Sequence, residues 1–163
     1  MKPETMLDAF ERLGLPRRFS VDAAELERNY LDRSREAHPD FHTGDVEAVE
    51  NTASALNEAY ATLKDPFRRA EHLLALLGGP SAADDKSLPP AFLMEMLELR
   101  EAIEAAKDSP AEVARIEADL SHRTDASAES LRRLFDVGDT DAIRKELNRV
   151  RYWKGLLRDL HGA

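Results

Sequence analysis

The sequence predicts an all-helical protein in two parts, and three observations carry that prediction. Glycine is scarce, at seven residues in 163. No stretch alternates apolar and polar residues as a half-buried strand would, while the helix formers Leu, Ala, Glu and Arg dominate. One polar segment rich in Gly, Pro and Asp, GGPSAADDKSLPP from Gly78 to Pro90, interrupts the apolar periodicity and divides the chain.

Glycine and proline mark the remaining joints. A first helix is expected from about Thr5 to Leu13, stopped by Gly14 and Pro16. A second starts after Asp22, whose carboxylate can cap it with Glu25 in the capping-box position, and it runs to about Ala37. Pro39 ends it by pushing His38 out of helical dihedrals. A third, roughly Val46 to Lys64, sets Val49, Ala53, Leu56, Tyr60 and Leu63 at spacings of three and four, which is a core stripe. Asp65-Pro66 breaks it and opens a fourth that reaches Leu77. Beyond the polar segment, helices are expected over about Ala91 to Lys107, Ala111 to Phe135 and Thr140 to Leu160. Their short connections, Asp108-Ser109-Pro110 and Gly138-Asp139, imply antiparallel neighbours in a three-helix bundle. The expected division is therefore residues 1–77, a linker over 78–89, and a bundle over 90–163.

Composition narrows the function classes. Hydrophobic residues at 42% and charged residues at 34% suit a globular chain rather than a disordered or membrane-embedded one. A net charge of -9 disfavours a grip on nucleic-acid backbones. The absence of cysteine removes disulfides, thiolate metal sites, iron–sulfur ligation and cysteine nucleophiles together. The opening stretch MKPETMLDAFERLG resembles neither a signal peptide nor an acid-poor transit peptide, so a cytoplasmic location is expected, and no run approaches the length of a membrane span.

The stretch REAHPDFHTGD, Arg35 to Asp45, concentrates chemistry. Three site readings compete. His38, Asp40 and His42 alternate as the ligands of a zinc or iron site in an extended loop could, the basis of a metal-dependent hydrolase. His38 and Asp40 could form an acid–base dyad, but no Gly-rich loop or strand-to-helix turn supplies an oxyanion hole. His38-Pro39-Asp40 could instead be a docking tripeptide. The bland alternative is a solvated turn in which Pro39 stops one helix and Asp40 satisfies free amides.

The tripeptide lies between two amphipathic helices, and the second of these leads into NEAYATLKDPFRRAEHLL, Asn57 to Leu74. This order and spacing resembles the J domain of DnaJ-type co-chaperones. The resemblance implies that His38, Pro39 and Asp40, with Arg28 and Arg35 of the preceding helix, engage a DnaK-type ATPase and stimulate it without chemistry of their own. A rigid proline between two polar residues makes a preorganised knob that lowers the ordering cost of a transient interface. The chain departs from the family at Phe41, where lysine is usual, and at Arg33 and Ala37, where apolar and aromatic residues are usual.

The helix AFLMEMLELREAIE, Ala91 to Glu104, has two apolar sides. Phe92, Met96, Leu99 and Ile103 form a sufficient core face, while Leu93, Met94 and Leu97 fall elsewhere. Together they span an arc of roughly 200 degrees where about 100 would serve a surface helix. Either the helix is central in its bundle, or the second side is an exposed patch rimmed by Glu98 and Glu101 that binds a protein. Here the chain resembles the HscB family, J-type co-chaperones of iron–sulfur cluster assembly, through LGLP (Leu13–Pro16), the tripeptide block, RAEHLLALLG (Arg69–Gly78), FLMEMLELRE (Phe92–Glu101) and RVRYWKGLL (Arg149–Leu157). The resemblance implies a non-enzymatic adaptor without a cofactor. In that family the bundle holds a scaffold protein of the IscU type and presents it to a dedicated DnaK-type chaperone, HscA. By motif position the scaffold contacts are Leu93, Met94, Leu97, Glu98, Arg100, Glu101 and Tyr152, with Tyr152 facing outward and Trp153 inward. Eukaryotic members often carry an amino-terminal zinc-binding cysteine pair; its absence here points to the bacterial form.

Overall fold

The computed structural model describes residues 6–37 and 46–162, apart from the side chains of Val46 and Val49. Among the described residues there are seven helices and no strand: α1 (Ala9–Arg12), α2 (Ala23–Glu36), α3 (Val46–Lys64), α4 (Pro66–Leu76), α5 (Pro90–Ala105), α6 (Pro110–Val137) and α7 (Thr140–Gly162). The chain divides into two compact units, 1–73 and 74–163.

In the first unit α1 and α2 both pack on α3. α1 is shorter than the sequence predicts. It begins at Ala9 because Asp8 takes extended geometry (φ -76°, ψ 173°) and its carboxylate accepts from the Glu11 amide at 2.9 Å. The Ala9 amide, otherwise unpaired at a helix start, donates to His72 Nε2 at 3.1 Å. Gly14 turns the chain at φ +65°, a conformation that side chains disfavour, and a Cβ there would lie 2.5 Å from Arg33 Nη2 and displace that guanidinium. Asp22 caps α2 as expected, accepting from Ala24 and Glu25. The core includes Phe10, Leu13, Leu26, Leu56, Ala59, Leu63, Ala70 and Leu73. The α3 stripe thus includes Ala59, whereas Ala53 and Tyr60 are only half-buried.

The second unit is a three-helix bundle. α6 buries Ile116, Leu120, Thr124, Ser127 and Leu131 at spacings of three and four, and packs along α7. Ser109 caps α6, and Gly138 ends it at φ +82° with its amide on the Leu134 carbonyl. The segment 78–89, expected as a linker, is pinned to α7. Asn148 Nδ2 donates to the carbonyls of Asp85 (3.1 Å) and Ser87 (3.0 Å), and Asn148 Oδ1 accepts from the fully buried Arg144 at 3.0 Å. Arg144 also reaches the Pro80 carbonyl at 3.5 Å. An irregular segment has no helical ladder to take up its carbonyls, and these two side chains supply donors for Pro80, Asp85 and Ser87.

Candidate partner-binding surfaces

In the first unit α2 and α3 are tied by stacking of Tyr30 on Tyr60, with centroids 4.2 Å apart, and by the Tyr30 hydroxyl donating to Asn57 Oδ1. α2 is fixed from its other side by Asn29 Nδ2 on the Leu13 carbonyl (2.8 Å) and Arg33 Nη1 on the Arg12 carbonyl (2.7 Å). Arg33, which stands where the resembled family places an apolar residue, therefore caps the end of α1. Sequence reasoning missed that role because its partner is a backbone carbonyl 21 positions away. The outer face of α2 presents Arg28, Leu31 and Arg35, all exposed, with Leu31 at 51%. They recur at spacings of three and four, so they share one stripe. Arg35 pairs with Asp32 one turn back. His38, Pro39, Asp40, Phe41 and His42, between α2 and α3, lie outside the described residues, as does the metal reading that rests on them. Among the described residues no group of three or more His, Asp or Glu is placed to hold a metal ion.

In the second unit α5 shows two apolar faces, one buried and one exposed. Phe92, Met96 and Ile103 are buried, Met96 completely, and Leu99 is half-buried. Leu93, Met94 and Leu97 are 42%, 61% and 54% exposed. At about 100 degrees per residue the second set is centred roughly 140 degrees from the first, so the patch widens the apolar arc well beyond the packing face. Glu98 and Glu101 lie on the same outer side, both exposed. Phe92 explains how α5 is held. Its ring meets Tyr152 edge-on at 6.0 Å and Trp153 at 5.9 Å, with the Arg149 guanidinium 6.0 Å away.

Tyr152 is half-buried and Trp153 buried, so the adjacent aromatics of α7 divide between rim and core. The Tyr152 hydroxyl accepts from Arg100 Nε at 3.1 Å, the Arg100 guanidinium carbon sits 5.4 Å from the Tyr152 ring centre, and Arg100 Nη1 is 3.7 Å from Asp159. The structure thus brings Leu93, Met94, Leu97, Glu98 and Glu101 together on α5 and joins Arg100 to Tyr152 beside them. What this arrangement offers is burial at its centre and charge at its edge. No helix among the described residues is long and apolar enough to cross a membrane.

A hairpin of two helices buttressed by a capped short helix defines a J-type unit, and residues 8–72 match the DnaJ domain family model. Residues 88–161 match the HSCB C-terminal oligomerisation domain. The chain is 39% identical to the co-chaperone protein HscB of Proteus mirabilis over 90% of its own length and 75% of that protein's. It is 38% identical to the HscB homolog of Cupriavidus taiwanensis over 96% and 93%. The mitochondrial J-type co-chaperone jac1 of Schizosaccharomyces pombe is 32% identical, and the match covers 88% of this chain but 64% of jac1. Among solved structures, human HscB superposes with a TM-score of 0.85 at 26% identity, covering 99% of this chain and 84% of that one. HscB from Vibrio cholerae gives 0.81 at 27%, covering 96% of each. The chain belongs to the HscB family of J-type co-chaperones, the family for which the sequence resemblance implied a place in iron–sulfur cluster assembly.

Proposed function

We propose that this chain is a cytoplasmic adaptor that couples a DnaK-type chaperone of the HscA kind to an iron–sulfur scaffold protein of the IscU kind. Residues 1–77 recruit the chaperone and stimulate its ATPase through His38, Pro39 and Asp40, steered by Arg28 and Arg35. Residues 90–163 hold the scaffold on Leu93, Met94, Leu97, Glu98, Arg100, Glu101 and Tyr152. The adaptor works by proximity, raising the effective concentration of one partner at the other, and needs no cofactor.

The observation that carries this reading is the second apolar face of α5. Three large side chains stay 42–61% exposed on a helix that already buries Phe92, Met96 and Ile103. Such side chains are costly to leave in water unless something covers them. The first unit supports the other half through the outward stripe of Arg28, Leu31 and Arg35 beside the tripeptide in sequence.

The test is steady-state ATP hydrolysis by an HscA-type chaperone with the wild-type chain, with His38→Gln, and with the Leu93, Met94 and Leu97 triple alanine variant, each with and without IscU-type scaffold. The wild type stimulates hydrolysis and the scaffold adds to it. His38→Gln abolishes stimulation while leaving scaffold binding intact, and the triple variant retains basal stimulation but loses the scaffold's increment. Stimulation unchanged by His38→Gln would sink the chaperone half of the reading.

A second reading takes the same α5 face as a contact between copies of this chain, because the matching domain family is described as an oligomerisation domain. Sedimentation of the wild type and the triple variant without partners separates the two. A wild-type dimer converted to monomer by the substitutions favours self-association.

A further inference from the structure

We infer that Asp159 and the Tyr152 hydroxyl are positioning groups that aim Arg100 at an acidic side chain of the scaffold partner, an inference that rests on the scaffold reading above. A surface arginine samples many rotamers, and holding one costs entropy at binding. Arg100 is held before binding from three directions. Its Nε donates to the Tyr152 hydroxyl at 3.1 Å, its guanidinium carbon lies 5.4 Å from the Tyr152 ring centre, and Nη1 is 3.7 Å from Asp159.

That last distance matters. At 3.7 Å the Asp159 carboxylate attracts the guanidinium but lies outside hydrogen-bond range, so it orients without consuming donors. The Nη edge of Arg100 retains its N–H groups. A planar edge of parallel donors is matched by a carboxylate, which it can bind through two bonds at once. The surroundings agree in charge. Arg100 and Asp159 stand at the lip of a groove of about 450 Å³ between α5 and α7, floored by the buried Ile103 and Leu156 and bordered by Lys107 and Arg158. Lys107 is balanced by Glu104 at 2.8 Å, which leaves Arg158 and the outer edge of Arg100 to attract an anion. The partner group that fits is an acidic residue flanking whatever covers Leu93 and Leu97.

The sign of one substitution separates positioning from simple charge. Removing the Asp159 carboxylate makes this surface more positive, so electrostatics alone predicts tighter binding of an acidic partner. Positioning predicts weaker binding. Titration calorimetry of the full-length chain against purified IscU-type scaffold protein should show Asp159→Asn and Tyr152→Phe each weakening the dissociation constant about threefold to tenfold, with unchanged thermal melting. In an Arg100→Ala background both substitutions should change it less than about twofold, because the group they position is gone. Asp159→Asn that binds as tightly as wild type or tighter, or losses that persist without Arg100, would overturn the inference. If the Leu93, Met94 and Leu97 triple variant also binds normally, the scaffold reading falls with it; if the triple variant is impaired while Asp159→Asn is not, only the positioning role is lost.

Discussion

The two units hold their helices by different means. In the first, short elements are fastened through polar side chains that reach backbone groups at helix ends: Asp8 and His72 at the start of α1, Arg33 at the end of α1, Asn29 on the following turn, Asp22 at α2, and Arg69 on the Leu63 carbonyl at 2.6 Å. In the second, α6 and α7 run 28 and 23 residues and pack along a mostly apolar seam that also buries Thr124 and Ser127, while Arg144 and Asn148 grip the incoming segment. The difference follows from length. Every helix leaves about four amides and four carbonyls unpaired at its ends, and in a helix of four residues these outnumber the bonds inside. A short element therefore depends on caps and on their ionisation, and a long one on buried area.

Two substitutions would test that contrast at its strongest. Met96→Ala in α5 removes a fully buried side chain from the second unit, with an expected loss of about 2–5 kcal/mol in urea unfolding of the full-length chain. The loss should be nearly independent of pH, because nothing ionisable is involved. A loss below about 1 kcal/mol would mean that the bundle collapses around the cavity and does not depend on its seam as argued.

The first unit should instead respond to acid. Burial lowers the pKa of His72 from its ordinary 6.5, with Arg17 acting in the same direction and Asp8 opposing. The geometry agrees, since Nε2 accepts the Ala9 amide and would face donor to donor if protonated. The folded state binds this proton more weakly than the unfolded state. The contribution is therefore fully present above pH 6.5 and is lost as pH falls toward the lower folded value. Asp8 extends the effect to lower pH. Burial pushes its pKa up, but hydrogen bonds from the Glu11 amide and Arg17 outweigh that and leave it below 3.8, so its contribution persists until acid protonates it there. Urea midpoints measured at about pH 7.5 and about pH 5.5 should fall for the wild type and fall less for His72→Phe, which starts lower. Equal slopes for the two chains would remove His72 from the account.

The sequence made the helices legible because their signals are local. Asp22, Ser109 with Pro110, and Gly138 each act within a few residues, and the expected ends of α2, α6 and α7 fall close to those observed. Distant contacts were not legible. The amide of Ala9, the first residue of α1, is satisfied by His72, 63 positions away, and the segment 78–89 is held by Asn148 across a similar separation. Nothing in a polar, proline-rich stretch reveals that a buried arginine and asparagine elsewhere will supply its missing donors. On the binding side, the helical wheel of Ala91 to Glu104 separated the two apolar faces correctly, since both sets of residues sit on one regular helix. The Arg100–Asp159 contact, which joins two helices, had no signature in either.

The smallest expected effect is the most informative about α5, because it asks whether two similar leucine- and methionine-rich faces differ in kind. Leu97→Ala trims a side chain that is 54% exposed and so forfeits little burial on folding. Its effect on unfolding should stay within about 0.5 kcal/mol, an order of magnitude below that of Met96 one position earlier. Its effect on scaffold affinity should be the reverse, a loss of about tenfold or more, since a central apolar contact is where interface energy concentrates. Calorimetric binding and urea unfolding on the same preparations measure both. A Leu97→Ala chain that is destabilised like Met96→Ala would show that the exposed face belongs to the folding core of the bundle, and its exposure would no longer argue for a partner.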